Sequence, residues 1–395
     1  MLNTVSVASA RGDVAYQTGF VRWRAAQGGF SGWTREGITV NPDGTLVLDA
    51  ATAQPGSDPY GLNGYNGRNY YNGGDFLVGE ATSPVETTAF DYQEAIASWN
   101  ASTPTGTWVE IQFRAKYGER WSKWYVLGIW ASDYSTIRRH SVKLQGDADG
   151  FVAVDTFISS NKKETANAFQ LKLRLFSVDG VVTPTVRNAS VAYSTSPPKR
   201  AVASPKTSTP VLLDVPQYSQ YVYPEGGEVW CSPVSTAMVL AYWDRYTDPA
   251  EPRVRAAVAG VFDWIYDGHG NWPFNTAYAA RDGVYEGYVA RFTSLESVEG
   301  FVEAGVPVIV SIAWGKGDLT NSGIDSTNGH ILVVVGFDAD GNPIVNDPAN
   351  DPASPQDSPV QRTYLRAEFE PLWLEASGGT VYLIYPPGHP VPTLP

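Results

Sequence analysis

The sequence predicts two folded parts: an antiparallel β-sandwich of jelly-roll type, then an α+β domain. Three observations predict it. Period-two alternation of apolar and polar residues recurs through the first half. A stretch rich in Ser, Thr and Pro, residues 194–210, interrupts the chain without apolar periodicity. Beyond it, helical spacings of apolar residues are interleaved with β-branched runs. The division is therefore a sandwich at 1–194, a linker at 195–210 and a second domain at 211–395 of the 395 residues.

In the first part, 108–114 sets Val109, Ile111 and Phe113 on one face and Glu110, Gln112 and Arg114 on the other. Segment 169–175 does the same, with Phe169, Leu171, Leu173 and Leu175 against Gln170, Lys172 and Arg174. Such alternation means strands with one buried and one wet face. Shorter runs lie at 45–48, 123–129, 151–158 and 190–193, separated by Gly, Asn, Asp and Pro. The Gly- and Tyr-rich segment 60–74 reads as a loop whose tyrosines pack locally; exposed, they would stack on sugar rings.

In the second part, Ser232 is placed to cap a helix with Pro233 in its first turn. Val234, Ala237, Met238 and Ala241 then share one face. Thr293 and Glu296 form a capping-box pattern ahead of Leu295, Val298, Phe301 and Val302, and Gly305 ends that helix. Runs 306–314 and 331–337 have the composition of buried strands, and 342–347 follows the Asp340–Gly341 turn as another.

Composition narrows the function. A net charge of −13, with Lys316 the only lysine past the linker, argues against nucleic acid. No apolar run is long enough to span a bilayer. Residues 1–10 lack a basic region followed by a long apolar stretch, so no signal peptide is visible. The single cysteine excludes an intrachain disulfide and a multi-cysteine zinc site. No His-Glu-x-x-His cluster points to metal catalysis, and no cofactor is expected.

Three residues stand out chemically. Cys231 lies just before a predicted helix, where free N–H groups and the helix dipole favour a thiolate; the bland alternative is an inert buried cysteine. His330 opens a buried β-run, whereas His140, His269 and His389 have no such setting. Asp347 ends the next strand, where a carboxylate can accept from the imidazole Nδ1–H. A two-residue turn at Asp340–Gly341 would set His330 opposite residue 351, four residues past Asp347 or about 13 Å. The site therefore requires a longer, bulged or shifted turn.

The strings Val-Pro-Gln-Tyr-Ser-Gln from Val215, Trp-Cys-Ser-Pro-Val-Ser from Trp230, Gly-His-Ile-Leu-Val-Val-Val-Gly-Phe-Asp from Gly329 and Val-Asn-Asp-Pro from Val345 carry a resemblance. Together, and in the order Cys, His, Asp, they resemble the C39-like peptidase family of the papain-like superfamily, over about 210–386. The resemblance implies a papain-like cysteine peptidase fold with Cys231 as nucleophile, His330 as base, Asp347 as its orienter and Gln220 as oxyanion donor. Trp230, Trp272 and Trp314 are candidate substrate walls. A peptide or protein is the implied substrate. A secreted or cell-surface location is expected, with glycan or cell-wall contact through the sandwich. A non-catalytic binding protein on the same scaffold and an acyl transferase are the alternatives.

Overall fold

Alternating apolar faces in the first half produce two antiparallel sheets. The computed structural model describes residues 15–161, 164–207, 209–354 and 359–394. Residues 1–10, read above for a signal peptide, lie outside the described residues. One sheet runs from edge to edge Gly150–Ala153, Thr156–Ser159, Glu94–Ser102, Thr185–Ser194, Leu46–Leu48 and Ile38–Val40, with Thr18–Arg24 also on Thr185–Ser194. The other is built on Thr107–Tyr117, Ala166–Ser177 and Asp75–Thr82, with five shorter strands around them. Val109, Ile111, Phe113, Phe169, Leu171, Leu173 and Leu175 all lie in one core with Trp99, Val186 and Val191 of the first sheet.

Two expectations for this half change. Glu110, placed on the wet face, is buried, with Arg174 at 3.0 Å and the Tyr71 hydroxyl at 2.5 Å. The 60–74 loop folds over that face and dries it. The 151–158 run is a hairpin of two strands, because the chain reverses at Val154 with φ 61°. The 60–74 loop packs its tyrosines locally: Tyr65, Tyr70 and Tyr71 are buried with Trp108 and Phe176.

The second half has one seven-stranded antiparallel sheet, ordered Glu286–Arg291, Thr380–Tyr385, Val308–Trp314, Thr327–Phe337, Pro343–Asn346 and Gln361–Thr363, with Val211–Leu212 on Thr327–Phe337. Among the described residues five α-helices accompany it: α1 (Cys231–Asp244), α2 (Ala250–Val261), α3 (Trp272–Ala279), α4 (Leu295–Glu303) and α5 (Arg366–Ser377). Ile331, Val333 and Val335 share a core with α1 and α2, while Leu332 and Val334 share one with α4 and α5. This is the period-two split expected of a strand buried on both faces.

Helix signals in the sequence were read too locally. α1 is buried around its whole girth from Ser232 to Ala241, so it has no single apolar face. Ser232 is not its cap: its hydroxyl lies 3.0 Å from the Tyr382 hydroxyl. α4 is entered through Ser294 without a side-chain cap, and the Leu295 N–H donates to Glu370 Oε1 at 2.8 Å. For α4 a residue distant in sequence supplies the acceptor that a local motif would have supplied, and for α1 a distant tyrosine takes up the hydroxyl of the expected cap.

The described residues 195–207 form neither helix nor strand, yet they are not a free tether. The Ala201 N–H donates to Glu375, the Ser204 N–H to Glu370 and the Thr207 N–H to Glu299. The cause is Arg366, buried at the start of α5, which needs Glu299 and the Ser204 and Pro205 carbonyls to satisfy its guanidinium. The two halves are also joined directly. Ser98 and Asn100 bond the backbone of Val289 and Gly287, and Arg291 reaches Glu94 at 2.6 Å.

Candidate active site

Cys231 begins α1, directly after a tight turn at Gly227–Val229, and is half-buried. That turn packs so closely that a Cβ on Gly227 would stand 2.0 Å from the Gln220 carbonyl oxygen. Glycine is therefore what lets the Gln220 turn and the Cys231 turn meet. The Ser235 hydroxyl donates to the Ile331 carbonyl at 3.2 Å, tying α1 to the strand that carries His330.

His330 is buried, and its Nε2 lies 2.7 Å from Asp347 Oδ1. The carboxylate thus takes Nε2, not the Nδ1 expected from sequence. That leaves Nδ1 as the ring nitrogen not taken by the carboxylate, and Cys231 is among the groups that raise the imidazole's pKa. The hairpin explains how the pair meets. Phe337 is paired with Pro343 across a five-residue turn, and a bulge at Val335 shifts the register to Val334 with Val345. Extended along the strand, this register sets His330 opposite Ala349, so the offset to Asp347 falls from four residues to two. That is about 7 Å, the reach of a diagonal cross-strand pair.

Asp347 is buried and fully engaged. Oδ1 also accepts from the Ala349 N–H at 2.8 Å, and Oδ2 accepts from the Tyr364 hydroxyl at 2.5 Å. Burial works against its ionised form, but the His330 charge and these hydrogen bonds hold its pKa below the usual carboxylate range. For His330, burial again opposes the charged form. The Asp347 carboxylate and the Cys231 thiol outweigh it and push the imidazole up to about 10. Trp314 stands edge-on to the ring at 5.5 Å and is itself buried.

Gln220 is held beside this pair by its own backbone, whose N–H donates to the Pro348 carbonyl at 3.0 Å. Its Oε1 is buried without a partner. An acceptor left so costs about 1–3 kcal/mol. The structure thus brings Cys231, His330, Asp347 and Gln220 together. The three tryptophans differ. Trp314 covers the imidazole, Trp230 is buried against Tyr223 at 5.6 Å and His269 at 6.1 Å, and Trp272 is half-buried at the first position of α3.

Several neighbours escape sequence reasoning. Tyr364 carries no local signal, since only the third dimension brings it to Asp347. His269 has its pKa lowered to about 4 by burial, and its Nδ1 has no partner. Asp155 comes from the sandwich hairpin, and its Oδ2 accepts from the Trp272 N–H at 2.7 Å. Burial, with Asp263 nearby, raises it to about 7 despite the Trp272 and Thr156 hydrogen bonds. The β-branched Val154 before it, in the left-handed region, is a genuine backbone outlier.

The second half thus carries a cysteine at the start of a helix, a histidine on a strand and an aspartate just past the next strand. In comparison with known families, residues 212–381 match the Peptidase_C39 like family, and residues 19–194 match the Peptidase C39 N-terminal domain. Both matched families are described as C39 peptidase families, and each match spans a little under half of the chain. Among solved structures, a Bacillus anthracis chain proposed as a C39-like peptidase is 20% identical, with TM-score 0.30, over 45% of this chain and 98% of its own. A xylan-binding module of the CBM15 type is 16% identical, with TM-score 0.23, over 45% and 99%. A family two carbohydrate esterase from Cellvibrio japonicus is 8% identical, with TM-score 0.20, over 47% and 38%. At these scores none of the three carries a functional argument. No curated protein matches the chain.

Proposed function

We propose that the protein is a cysteine peptidase or amidase, acting outside the cytoplasm on a peptide or protein. One observation carries the reading: a buried imidazole is bonded to a carboxylate that is itself fully hydrogen-bonded, and its proton affinity also answers to the only cysteine of the chain. A papain-like fold for the second domain is part of the proposal, supported by a cysteine-bearing helix on an antiparallel sheet that carries the histidine. In this reading His330 holds Cys231 as a thiolate beside an imidazolium. The thiolate attacks the scissile carbonyl carbon, and the carbonyl electrons move onto oxygen. Gln220 and the Cys231 N–H stabilise that oxyanion, each donor being worth about 2.7–4 kcal/mol. His330 then gives its proton to the leaving amine as the C–N bond breaks. Water, deprotonated by His330, releases the acyl group from sulfur.

The test compares wild type with Cys231→Ala on a proteome-derived peptide mixture. Cleavages made by wild type and missing from the variant are expected; identical patterns would refute the nucleophile. Alkylation separates the enzyme from a non-catalytic scaffold. With a single cysteine, labelling at neutral pH reports only Cys231, and His330→Ala should slow it at least tenfold.

A further inference from the structure

On the sandwich, well away in sequence from the catalytic set, lies a polar cavity of about 220 Å³. Its rim includes Arg68, Arg138, Asn63, Asn69 and Tyr134. Arg68 is presented rigidly. Tyr65 and Arg68 exchange two backbone hydrogen bonds of 2.9 Å across Asn66 and Gly67, both with positive φ, the signature of a type I′ turn. The Arg68 Nη1 atom is nevertheless buried without any partner.

Arg138 is exposed, and it lies with Arg68 against the same indole. The two guanidinium carbons are 4.4 and 5.4 Å from the Trp264 ring, so the charges stand no more than about 10 Å apart. Neither makes an ion pair with a carboxylate of the described residues, although the chain carries 41 acidic side chains against 28 basic ones. Two adjacent unpaired cations in an acidic protein, one of them with an orphaned buried donor, call for an anion from outside.

The rest of the cavity indicates what carries that anion. The Asn69 Oδ1 is committed to the Asn63 N–H at 2.7 Å, which leaves its amide NH₂ free to donate. The Asn63 side chain is uncommitted as well. Tyr134 is 58% exposed, a flat ring over which C–H groups can stack. A carboxylate, side-chain amides for hydroxyls and an aromatic platform together match an acidic sugar.

We propose that Arg68 and Arg138 form a binding site for a carboxylate-bearing saccharide on the N-terminal sandwich. The proposal does not depend on the peptidase reading, so the Cys231→Ala protein serves throughout. Calorimetric titration with glucuronate oligomers and N-acetylmuramate is compared with N-acetylglucosamine oligomers, sodium sulfate and an oligoglutamate peptide. The acidic sugars should bind, and Arg68→Gln and Arg138→Gln should each weaken them at least tenfold with unchanged melting temperatures. Equal binding of neutral sugars, or of sulfate alone, overturns the acidic-sugar assignment; tighter binding of the peptide overturns the saccharide. Absence of acidic-sugar binding to the folded parent, or full binding by Arg138→Gln, overturns the site. Arg138 is exposed, so that variant remains decisive should Arg68→Gln fail to fold.

Discussion

At the scale of single residues, Asp347 illustrates how a charge is made safe inside a protein. It holds four interactions: the imidazole, an amide, a phenol and the Coulombic pull of Arg362. Replacing it by Asn leaves a buried imidazolium uncompensated, and removal of one partner of a buried pair costs about 3–5 kcal/mol. The pH dependence follows from both shifts. The His330 contribution, with its pKa raised from 6.5 to about 10, is complete below 6.5 and is lost as pH rises through 10. The Asp347 contribution, with a lowered pKa, is complete above 3.8 and is lost as pH falls further. Urea denaturation of wild type and Asp347→Asn should therefore differ most between pH 4 and 6.5, and the gap should narrow above pH 10.

Asp155 has the opposite sign. Its raised pKa means that the folded state binds the proton more tightly than the unfolded chain does. Stability is therefore lost as pH rises from 3.8 to about 7. A shift of that size corresponds to roughly 4 kcal/mol. Asp155→Asn keeps an oxygen for the Trp272 N–H and removes the titration. It should match wild type near pH 4 and exceed its melting temperature at pH 8. A variant that melts lower at pH 8 would show that the charge itself is needed there.

At the scale of elements, the site depends on one bulge and one glycine. The five-residue turn and the Val335 bulge each move Asp347 one residue closer to the position facing His330. Gly227 permits the approach of the Cys231 turn to Gln220. Gly227→Ala forces backbone against backbone, and overpacking of this kind costs about 1–3 kcal/mol. Because Gln220 is what moves, turnover should fall more than binding of substrate. A variant with wild-type turnover would remove Gln220 from the mechanism. The local helix signals were legible but were assigned the wrong partners. Ser232 and Thr293 are typical capping residues, yet the Ser232 hydroxyl is taken by Tyr382, and Glu370, far along the chain, accepts from the first N–H of α4.

At the scale of the whole molecule, the sandwich is part of the second domain's support. The edge strand Glu286–Arg291 is buried along its full length, and Ser98, Asn100 and Glu94 of the sandwich satisfy its polar groups. A fragment starting at residue 211 exposes that strand and leaves Arg291 without its acid. Such a fragment should aggregate when expressed alone and become soluble when the 15–194 segment is co-expressed. Solubility of the fragment alone, with normal alkylation of Cys231, would show that the interface is dispensable.

From residue order alone came the two-part division, the sandwich strands with their buried faces, and the four residues that meet at the candidate site. These are local properties: period-two alternation, turn chemistry and short motifs are written in neighbouring residues. Only the tertiary structure decided that Asp347 takes Nε2, that Tyr364 and Asp155 attend the site, that the linker is strapped down and that two arginines stand unpaired beside Trp264. Those outcomes depend on contacts between residues separated by tens to hundreds of positions, where burial and unsatisfied polar groups select the partner and no local pattern records the choice.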